Sequence, residues 1–329
     1  MTKVGICVNP MSGRDVRRLA ARASNMTHEL KRDMVARIAV GADAVGVGDI
    51  YIAQEPFNIS NRALEHVALN ATVHTVEIPI SHSALDTERI IEKFIEAGCT
   101  SIVSIGGDGT NRAIVRQCRD IILVPLSTGT NNVFPLMLEP TTAGMVAAIA
   151  ANLNKTEKGR TDLEKLSQRC KVIDLQIGSV TDLTLIDAVL LKNDSVGNLL
   201  PFDPECISRI LLTRAEPDAV GMSPIGGYKK TIEAQDDCGL LVEMGGEQAF
   251  VAPLSPGLFG QVSVSAANTI AFGQEVIFTG PGVLALDGDR DHTLTEDTAA
   301  TMKIARSGPR IMDVRATMQY AVDTGMIGA

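Results

Sequence analysis

The feature that most constrains this chain is the stretch SIVSIGGDGT at residues 101–110. An apolar run typical of a buried strand ends there in a turn of three glycines around one aspartate, Asp108. Strand-like and helix-like segments alternate on both sides of this turn, which predicts βαβ units and a mainly parallel sheet. Because ligands bind beyond the carboxyl ends of the strands in such a sheet, the turn is the first candidate for a functional loop.

The expected elements of the first half are short and closely spaced. We expect strands at residues 4–8, 51–53, 73–78, 102–105 and 121–126, and helices at 14–23, 27–39, 85–97 and 112–118. A polar and charged stretch at 153–169 indicates a partly helical connection. At 329 residues the chain is too long for one compact core, so two domains are expected.

Strands dominate beyond that connection, and glycine and proline separate them. We expect strands at residues 171–177, 184–191, 240–243, 261–265, 275–279 and 283–286, with one helix at 204–213 and a closing helix at 314–322. This pattern is typical of an antiparallel β-domain. The predicted fold is therefore α/β: a Rossmann-like N-terminal domain with a parallel sheet (residues 1–165), followed by a mostly antiparallel β-sandwich domain (166–313). The C-terminal helix, 314–329, is expected to pack back on the first domain.

Composition and charge limit the classes of partner. The net charge is −9 and Trp is absent, which argues against nucleic acid and anionic membranes. The 6 cysteines form no C-x-x-C pair and the 5 histidines show no metal-ligand spacing, so we expect reduced thiols in a cytoplasmic protein. We see no signal-peptide layout and no apolar run near the ~20 residues of a membrane span. We expect a homo-oligomer, a dimer or a tetramer, that binds small molecules.

Three strand ends in the first half carry small polar residues. In NPMSG (residues 9–13), Ser12 precedes Asp15 by three positions, which is a capping-box spacing. The N-terminus of a helix there suits a phosphate, although a simple cap has the same pattern. STGTNN (127–132) follows another buried strand and is either a ligand loop or a solvated loop. If their strands are adjacent, these loops and GGDGT converge.

The chemistry expected of GGDGT depends on its glycines and its carboxylate. Glycine supplies positive φ and lets a ligand approach the backbone, and successive N–H groups form an anion nest. Asp108 then either binds Mg²⁺ or takes a proton from a substrate hydroxyl. The alternative is a tight turn in which Asp108 caps a helix. The chain contains neither a Walker A motif nor G-x-G-x-x-G, which excludes a P-loop and a standard dinucleotide-binding motif.

Taken together, NPMSG, GGDGT and STGTNN resemble the loops of the ATP-NAD kinase and diacylglycerol kinase superfamily. In the second half, LLKNDSVG, VAPLSPGLFGQVSV and LALDGDR resemble later NAD kinase motifs. The overall layout is similar to the acetoin-catabolism protein X family over nearly the whole chain. The resemblance implies that ATP, with Mg²⁺, binds between the two domains. It also implies transfer of the γ-phosphoryl group to a hydroxyl of a small molecule, with NAD⁺ the leading candidate and NADP biosynthesis the outcome.

The resemblance further implies roles for individual residues. Asp108 would be the catalytic base and the Mg²⁺ organiser. Residues expected to bind ATP or its phosphates are Asn9, Ser12, Gly13, Gly106, Gly107, Gly109, Thr110, Thr128, Gly129 and Asn131. Residues expected to bind the acceptor are Asn132, Asn193, Asp194, Ser223, Gly226, Asp287 and Gly288. Two other functions stay open: a kinase for a lipid or a small diol, and a non-catalytic nucleotide-binding regulator of acetoin metabolism.

Overall fold

The computed structural model describes residues 1–14, 21–128 and 132–327. The strands are β1 (Lys3–Val8), β2 (Asp49–Ala53), β3 (Thr72–Val76), β4 (Ser101–Gly106), β5 (Ile122–Ser127), β6 (Ser167–Arg169), β7 (Val172–Ile177), β8 (Val180–Thr184), β9 (Asp187–Leu191), β10 (Ile207–Leu212), β11 (Cys238–Ser255), β12 (Leu258–Ala271), β13 (Val276–Thr279), β14 (Gly282–Leu286), β15 (Asp289–Leu294), β16 (Ala299–Ala305) and β17 (Arg310–Met312). The helices are α1 (His28–Ala44), α2 (Ile59–Leu64), α3 (Ala84–Glu96), α4 (Asp108–Gln117), α5 (Pro140–Leu153), α6 (Glu157–Lys165), α7 (Ser223–Gly227) and α8 (Val314–Asp323).

The first layer is a seven-stranded sheet in the order β3-β2-β1-β4-β5-β17-β6. Its first five strands are parallel and follow the order of a Rossmann-like sheet. All six residues of β4 are buried, as expected for a parallel strand covered on both faces. This arrangement places the ends of β1, β4 and β5 side by side.

Helices cover both faces of this sheet. On one face, α1 and α5 pack against each other so closely that glycine is required at the contact. A Cβ on Gly41 would lie 2.0 Å from the carbonyl oxygen of Thr141, and one on Gly144 would lie 2.0 Å from that of Ile38. On the other face, α3 and α4 bury apolar residues such as Phe94 against the strands. The C-terminal helix α8 joins the first face through the buried Ala321.

Two antiparallel sheets form the rest of the molecule. One has six strands in the order β12-β11-β10-β9-β14-β15, and the other has four in the order β13-β16-β7-β8. Apolar residues of both sheets meet in one core, in which Leu175 and Phe278 of the smaller sheet pack with Leu190 and Leu284 of the larger. The predicted α/β fold, with a parallel sheet followed by an antiparallel sandwich, is confirmed.

One predicted helix is wrong, one helix of the structure was not predicted, and one prediction lies largely outside the described residues. The predicted helix at 204–213 is wrong: a 3₁₀ turn, Pro204–Cys206, leads into β10. This strand lies between β9 and β11 and buries both faces, so it lacks the alternation that identifies a strand. The sequence also did not predict α5, which is buried nearly all round and therefore has no polar stripe. The predicted helix at 14–23 falls largely on residues 15–20, outside the described part.

The predicted domain bounds, 1–165 and 166–313, stay a prediction. Both β6 and β17 come from the later part of the chain, yet they pair with the first sheet. Among the described helices, none combines the length and the apolar character that crossing a membrane requires.

Candidate active site

A cavity of about 520 Å³ lies where the ends of β1 and β4 face the antiparallel sheets. That volume is within the usual range for small-molecule sites. The lining contains most of the predicted site residues: Asn9, Ser12, Gly13, Gly107, Asp108, Gly109, Thr110, Thr128, Asn132, Asp287 and Gly288. Gly129 and Asn131 lie outside the described residues. The parallel sheet therefore brings the three predicted loops to one place, while the roles assigned to their residues stay predictions.

Asp108 is the first residue of α4 and follows directly on the end of β4. Its carboxylate accepts hydrogen bonds from the backbone N–H groups of Val133 (3.1 Å) and Phe134 (3.0 Å). The side chain is buried, and burial, together with the negative charge of Asp287, raises its pKa to about 7. A carboxyl group in this state is able to exchange a proton near neutral pH.

The glycines around Asp108 do not have the positive φ that the sequence analysis expected of them. None of Gly106, Gly107 and Gly109 has positive φ, and Gly107 has φ −105°. They are needed for close packing instead. A Cβ on Gly107 would lie 2.7 Å from Oδ1 of Asn132, and one on Gly109 would lie 2.8 Å from Oδ2 of Asp289. The missing side chain at Gly109 thus lets α4 approach the C-terminal region closely.

The loop after β1 is folded around Asn9. Its side-chain Oδ1 accepts the N–H groups of Met11 (2.9 Å) and Ser12 (3.2 Å). Its Nδ2 donates to Oγ1 of Thr110 at 2.8 Å, in the first turn of α4. Gly13 adopts φ 71°, a left-handed conformation that glycine reaches without strain. The loop and the start of α4 are therefore one connected unit.

Two aspartates of the C-terminal region face this unit. Asp287 adopts φ 49° and accepts the N–H groups of Leu185 (2.9 Å) and Ile186 (2.8 Å). Asp187, which the sequence analysis missed, lines the cavity, and its Oδ1 has no hydrogen-bond partner within the described part of the chain. Burial raises the pKa of both carboxyl groups, and for Asp187 the charges of Asp287 and Asp108 add to the effect.

Two buried arginines near the cavity, which the sequence analysis also missed, pair with aspartates of the C-terminal region. Arg112, on α4, donates to the carbonyl oxygen of Leu286 (2.6 Å) and pairs with Asp291. Arg290 lines the cavity and donates through Nε to Asp194 at 2.7 Å. Arg290 also donates to the carbonyl oxygens of Asn198 (2.9 Å) and Leu200 (2.8 Å), which ties the loop at residues 194–200 to β15.

Four predicted acceptor-binding residues lie away from the cavity lining. The carboxylate of Asp194 is taken by Arg290, Ser195 and Asn198, and Asn193 is its neighbour in a turn with φ 57°. Ser223 is buried and bonds to the backbone of Arg214 and Glu216. A Cβ on Gly226 would lie 2.6 Å from Leu212, so this glycine is packed in the core. These four residues do not line the cavity, and their roles in binding the acceptor stay predictions.

A resident metal site made only of protein groups is not seen in the described residues, since no cluster of three or more His, Cys, Asp or Glu has suitable geometry. The arrangement still fits a nucleotide-bound Mg²⁺. That ion prefers oxygen ligands and commonly takes one or two carboxylates together with phosphate oxygens and water. The unpartnered oxygen of Asp187 and the carboxylate of Asp108 are of that kind, and both line the cavity.

Comparisons with known proteins agree with this geometry. Residues 4–154 match the family model of the ATP-NAD kinase N-terminal domain. The first part of the chain is therefore similar to the ATP-NAD kinases, and this similarity supports a kinase-like phosphotransferase. Residues 171–307 match the model of the acetoin catabolism protein X C-terminal domain, so the second part of the chain is similar to that family.

One curated relative spans almost the whole chain. It is the acetoin catabolism protein X of Cupriavidus necator, 29% identical over 335 residues, which cover 97% of this chain and 92% of that protein. The resemblance predicted from the sequence, to the ATP-NAD kinases and to acetoin catabolism protein X, is confirmed.

Proposed function

We propose that this protein is a cytoplasmic, ATP-dependent kinase that transfers the γ-phosphoryl group to a hydroxyl of a small molecule. The observation that carries the proposal is Asp108, a buried carboxyl group that lines the cavity and has its pKa raised to about 7. A general base works best when its pKa is close to the working pH. Asp108 meets that condition beside loops that suit a phosphate.

Different residues orient the Asp108 carboxylate, bind the phosphates and hold Mg²⁺ in this proposal. The backbone N–H groups of Val133 and Phe134 hold the Asp108 carboxylate in place, which leaves further lone pairs on both oxygens for a hydroxyl proton. The Asn9 loop and the start of α4 bind the phosphates. When bound, Mg²⁺ neutralises charge on the phosphate oxygens, and Asp108 and Asp187 are the side chains that would hold it.

The acceptor is proposed as a small molecule with a hydroxyl group, for which there are two candidates. NAD⁺ is the first candidate because residues 4–154 match the ATP-NAD kinase model. A small diol is the second candidate, because the Cupriavidus necator relative is an acetoin catabolism protein by name. The hydroxyl that reacts would lie against Asp108, with Asp187 and Asp287 close by.

A non-catalytic nucleotide-binding regulator is the second candidate function. One observation favours it: both oxygens of Asp108 already accept backbone N–H groups, at 3.1 and 3.0 Å, as those of a purely structural aspartate would. The two functions differ in turnover, not in nucleotide binding.

The deciding experiment measures ADP production from Mg²⁺-ATP with NAD⁺, NADH, acetoin, butanediol and diacylglycerol. Asp108→Asn removes the base, and we expect its turnover to fall by about 10²–10⁴-fold while ATP binding persists. Asp297→Asn, in an exposed turn, is the control and should keep full activity. Turnover that survives Asp108→Asn would contradict the role of Asp108. ATP binding with no turnover on any acceptor would favour the regulator.

A further inference from the structure

Asp108 and Asp287 line the cavity from different regions of the chain, and backbone N–H groups hold both carboxylates. Those that bond to Asp108 belong to residues 133–134, and two of those that bond to Asp287 belong to residues 185–186. Both segments are bends outside any helix or strand. Because a bend has no regular backbone hydrogen bonds of its own, its position depends on contacts with other parts of the chain.

The first bend is contacted by Arg214, which follows β10. Its Nη1 donates to the carbonyl oxygen of Val133 at 3.2 Å, and its guanidinium carbon lies 5.8 Å from the centre of the Phe134 ring. The backbone of Arg214 is itself held, because its carbonyl oxygen accepts the hydroxyl of the buried Ser223 at 3.0 Å. A side chain of the C-terminal region therefore contacts both residues that orient Asp108.

The second bend is contacted by the preceding residue, Thr213, which is 0% exposed. Its Oγ1 donates to the carbonyl oxygen of Leu185 at 2.6 Å, and its backbone N–H donates to that of Ile186 at 2.8 Å. The carbonyl groups of this bend therefore bond to Thr213, while its N–H groups bond to Asp287.

The two residues are consecutive, and the chain is anchored on both sides of them. Before them, β10 is an interior strand that pairs with β9 and β11. After them, Ala215 exchanges two backbone hydrogen bonds with Ile232, at 2.9 and 3.0 Å. One anchored dipeptide thus contacts both bends, so a shift of the dipeptide moves the two bends relative to each other.

We propose that Thr213 and Arg214 are positioning residues, which together set the separation between the carboxylates of Asp108 and Asp287. Neither residue lines the cavity, so they act through the two bends and not by contact with a ligand. The inference rests on the proposed function for the reaction that the carboxylates serve. Its structural part, the placement of the bends, is measured without any turnover.

The first test measures the two bends by hydrogen exchange of the full chain, followed by mass spectrometry of peptides that span them. We expect Arg214→Met to speed exchange roughly fivefold at residues 133–134 only, the factor that corresponds to one net hydrogen bond. Thr213→Val should do the same at residues 185–186 only. Thr213→Ser keeps the hydroxyl and should exchange as the wild type does.

A matched control lies on β10 itself. Arg209 donates through Nη1 to the carbonyl oxygen of Ile277 at 2.6 Å, and its guanidinium carbon lies 4.6 Å from the centre of the Phe278 ring. These are the same two contacts that Arg214 makes, a carbonyl and the ring of the next residue, but away from the cavity lining. Arg209→Met should leave both bends and kcat unchanged. If Arg214→Met does not fold, Arg214→Gln, which keeps N–H donors, takes its place.

The second test separates positioning from a general loss of structure. With the acceptor that supports ADP formation, we expect Arg214→Met to lower kcat by about 10–100-fold, because a displaced carboxylate loses its alignment with the hydroxyl. The KM for Mg²⁺-ATP should change little. In an Asp108→Asn background, Arg214→Met should cost almost nothing more, since its effect passes through that carboxylate. Thr213→Val should lower kcat less, because its backbone N–H still bonds to Ile186.

Each outcome decides the inference. Faster exchange at the expected bend, with kcat lowered and the KM for Mg²⁺-ATP kept, supports it. Wild-type exchange at residues 133–134 in the folded Arg214 variant overturns it, as do an unchanged kcat in that variant, an equal fall of kcat in Arg209→Met, or independent losses in the double variant with Asp108→Asn. If the wild type turns over no acceptor, the kinase proposal fails, and the exchange rates alone decide whether Thr213 and Arg214 hold the two bends.

Discussion

The cavity has an N-terminal wall, formed by residues 9–13 and the start of α4, and a C-terminal wall, formed by Asp187 and by residues 199–202 and 287–290. The two walls hold their buried charged side chains in different ways. On the N-terminal wall, the ammonium of Lys31, a buried residue of α1, donates to the backbone carbonyl oxygens of Asn9, Pro10 and Ser12. On the C-terminal wall, Arg290 pairs with Asp194 and Arg112 pairs with Asp291. The N-terminal wall therefore depends on bonds from a side chain to backbone carbonyls, and the C-terminal wall depends on ion pairs between side chains.

The largest effect on stability is expected where the C-terminal wall loses an arginine. Arg290 and Asp194 are 1% and 6% exposed in their side chains, so Arg290→Met leaves a buried carboxylate without its partner. We expect a loss of about 3–5 kcal/mol in the free energy of unfolding, measured by urea titration. Arg119→Met is the control, because its pair with Asp174 is 41% exposed on both sides and should contribute less than about 1 kcal/mol. Equal losses in the two variants would refute the contrast.

A smaller effect is expected at Asp187, and its sign depends on pH. Burial and neighbouring carboxylates raise its pKa in the folded state, so the folded protein holds a proton that the unfolded chain has released. The wild type therefore loses stability as pH rises from the ordinary carboxyl range. Asp187→Asn removes this loss. We expect the free energy of unfolding, measured by urea titration, to increase by about 1–3 kcal/mol at pH 8, and the increase to become smaller toward pH 5. Asp297→Asn, in an exposed turn, should show no such trend. A gain independent of pH would show that charge is not the cause.

The smallest effect tests close packing on the N-terminal wall. The Cβ of Gly107→Ala would crowd Oδ1 of Asn132, whose Nδ2 donates to Ser127 at 2.9 Å. A rotation of Asn132 relieves the contact and breaks that bond, which costs about 1 kcal/mol in the free energy of unfolding. In an Asn132→Ala background the same substitution should cost clearly less. Additive losses in this double-mutant cycle would show that Asn132 is not what the glycine makes room for.

The N-terminal wall was largely predictable from the sequence, because parallel strands bring their carboxyl ends to one edge. Residues 9–13 and Asp108 were found in that way. Lys31 was missed, although a signal was present: it precedes Met34, Val35 and Ile38 by three, four and seven positions, which is the spacing of the apolar face of α1. A charged residue on that face marks a buried contact.

The C-terminal wall was not predictable to the same degree. Asp187 begins β9, a strand buried at all five positions, so no polar alternation indicates which residue faces the cavity. The motif at Asn193–Asp194 was preferred on resemblance, and its aspartate instead holds Arg290. Only the packing of the six-stranded sheet against α4 shows which of these acids reaches the cavity.

The most direct test of the central claim, that Asp108 is the base in phosphoryl transfer, is the pH dependence of kcat/KM with the acceptor that supports ADP formation. Burial and Asp287 raise the pKa of Asp108 to about 7, and a base acts only when it is deprotonated. We predict that kcat/KM rises as pH increases through about 7 and then levels off, and that the residual activity of Asp108→Asn lacks this rise. A flat profile from pH 6 to 8, or the same rising profile in Asp108→Asn, would contradict the account.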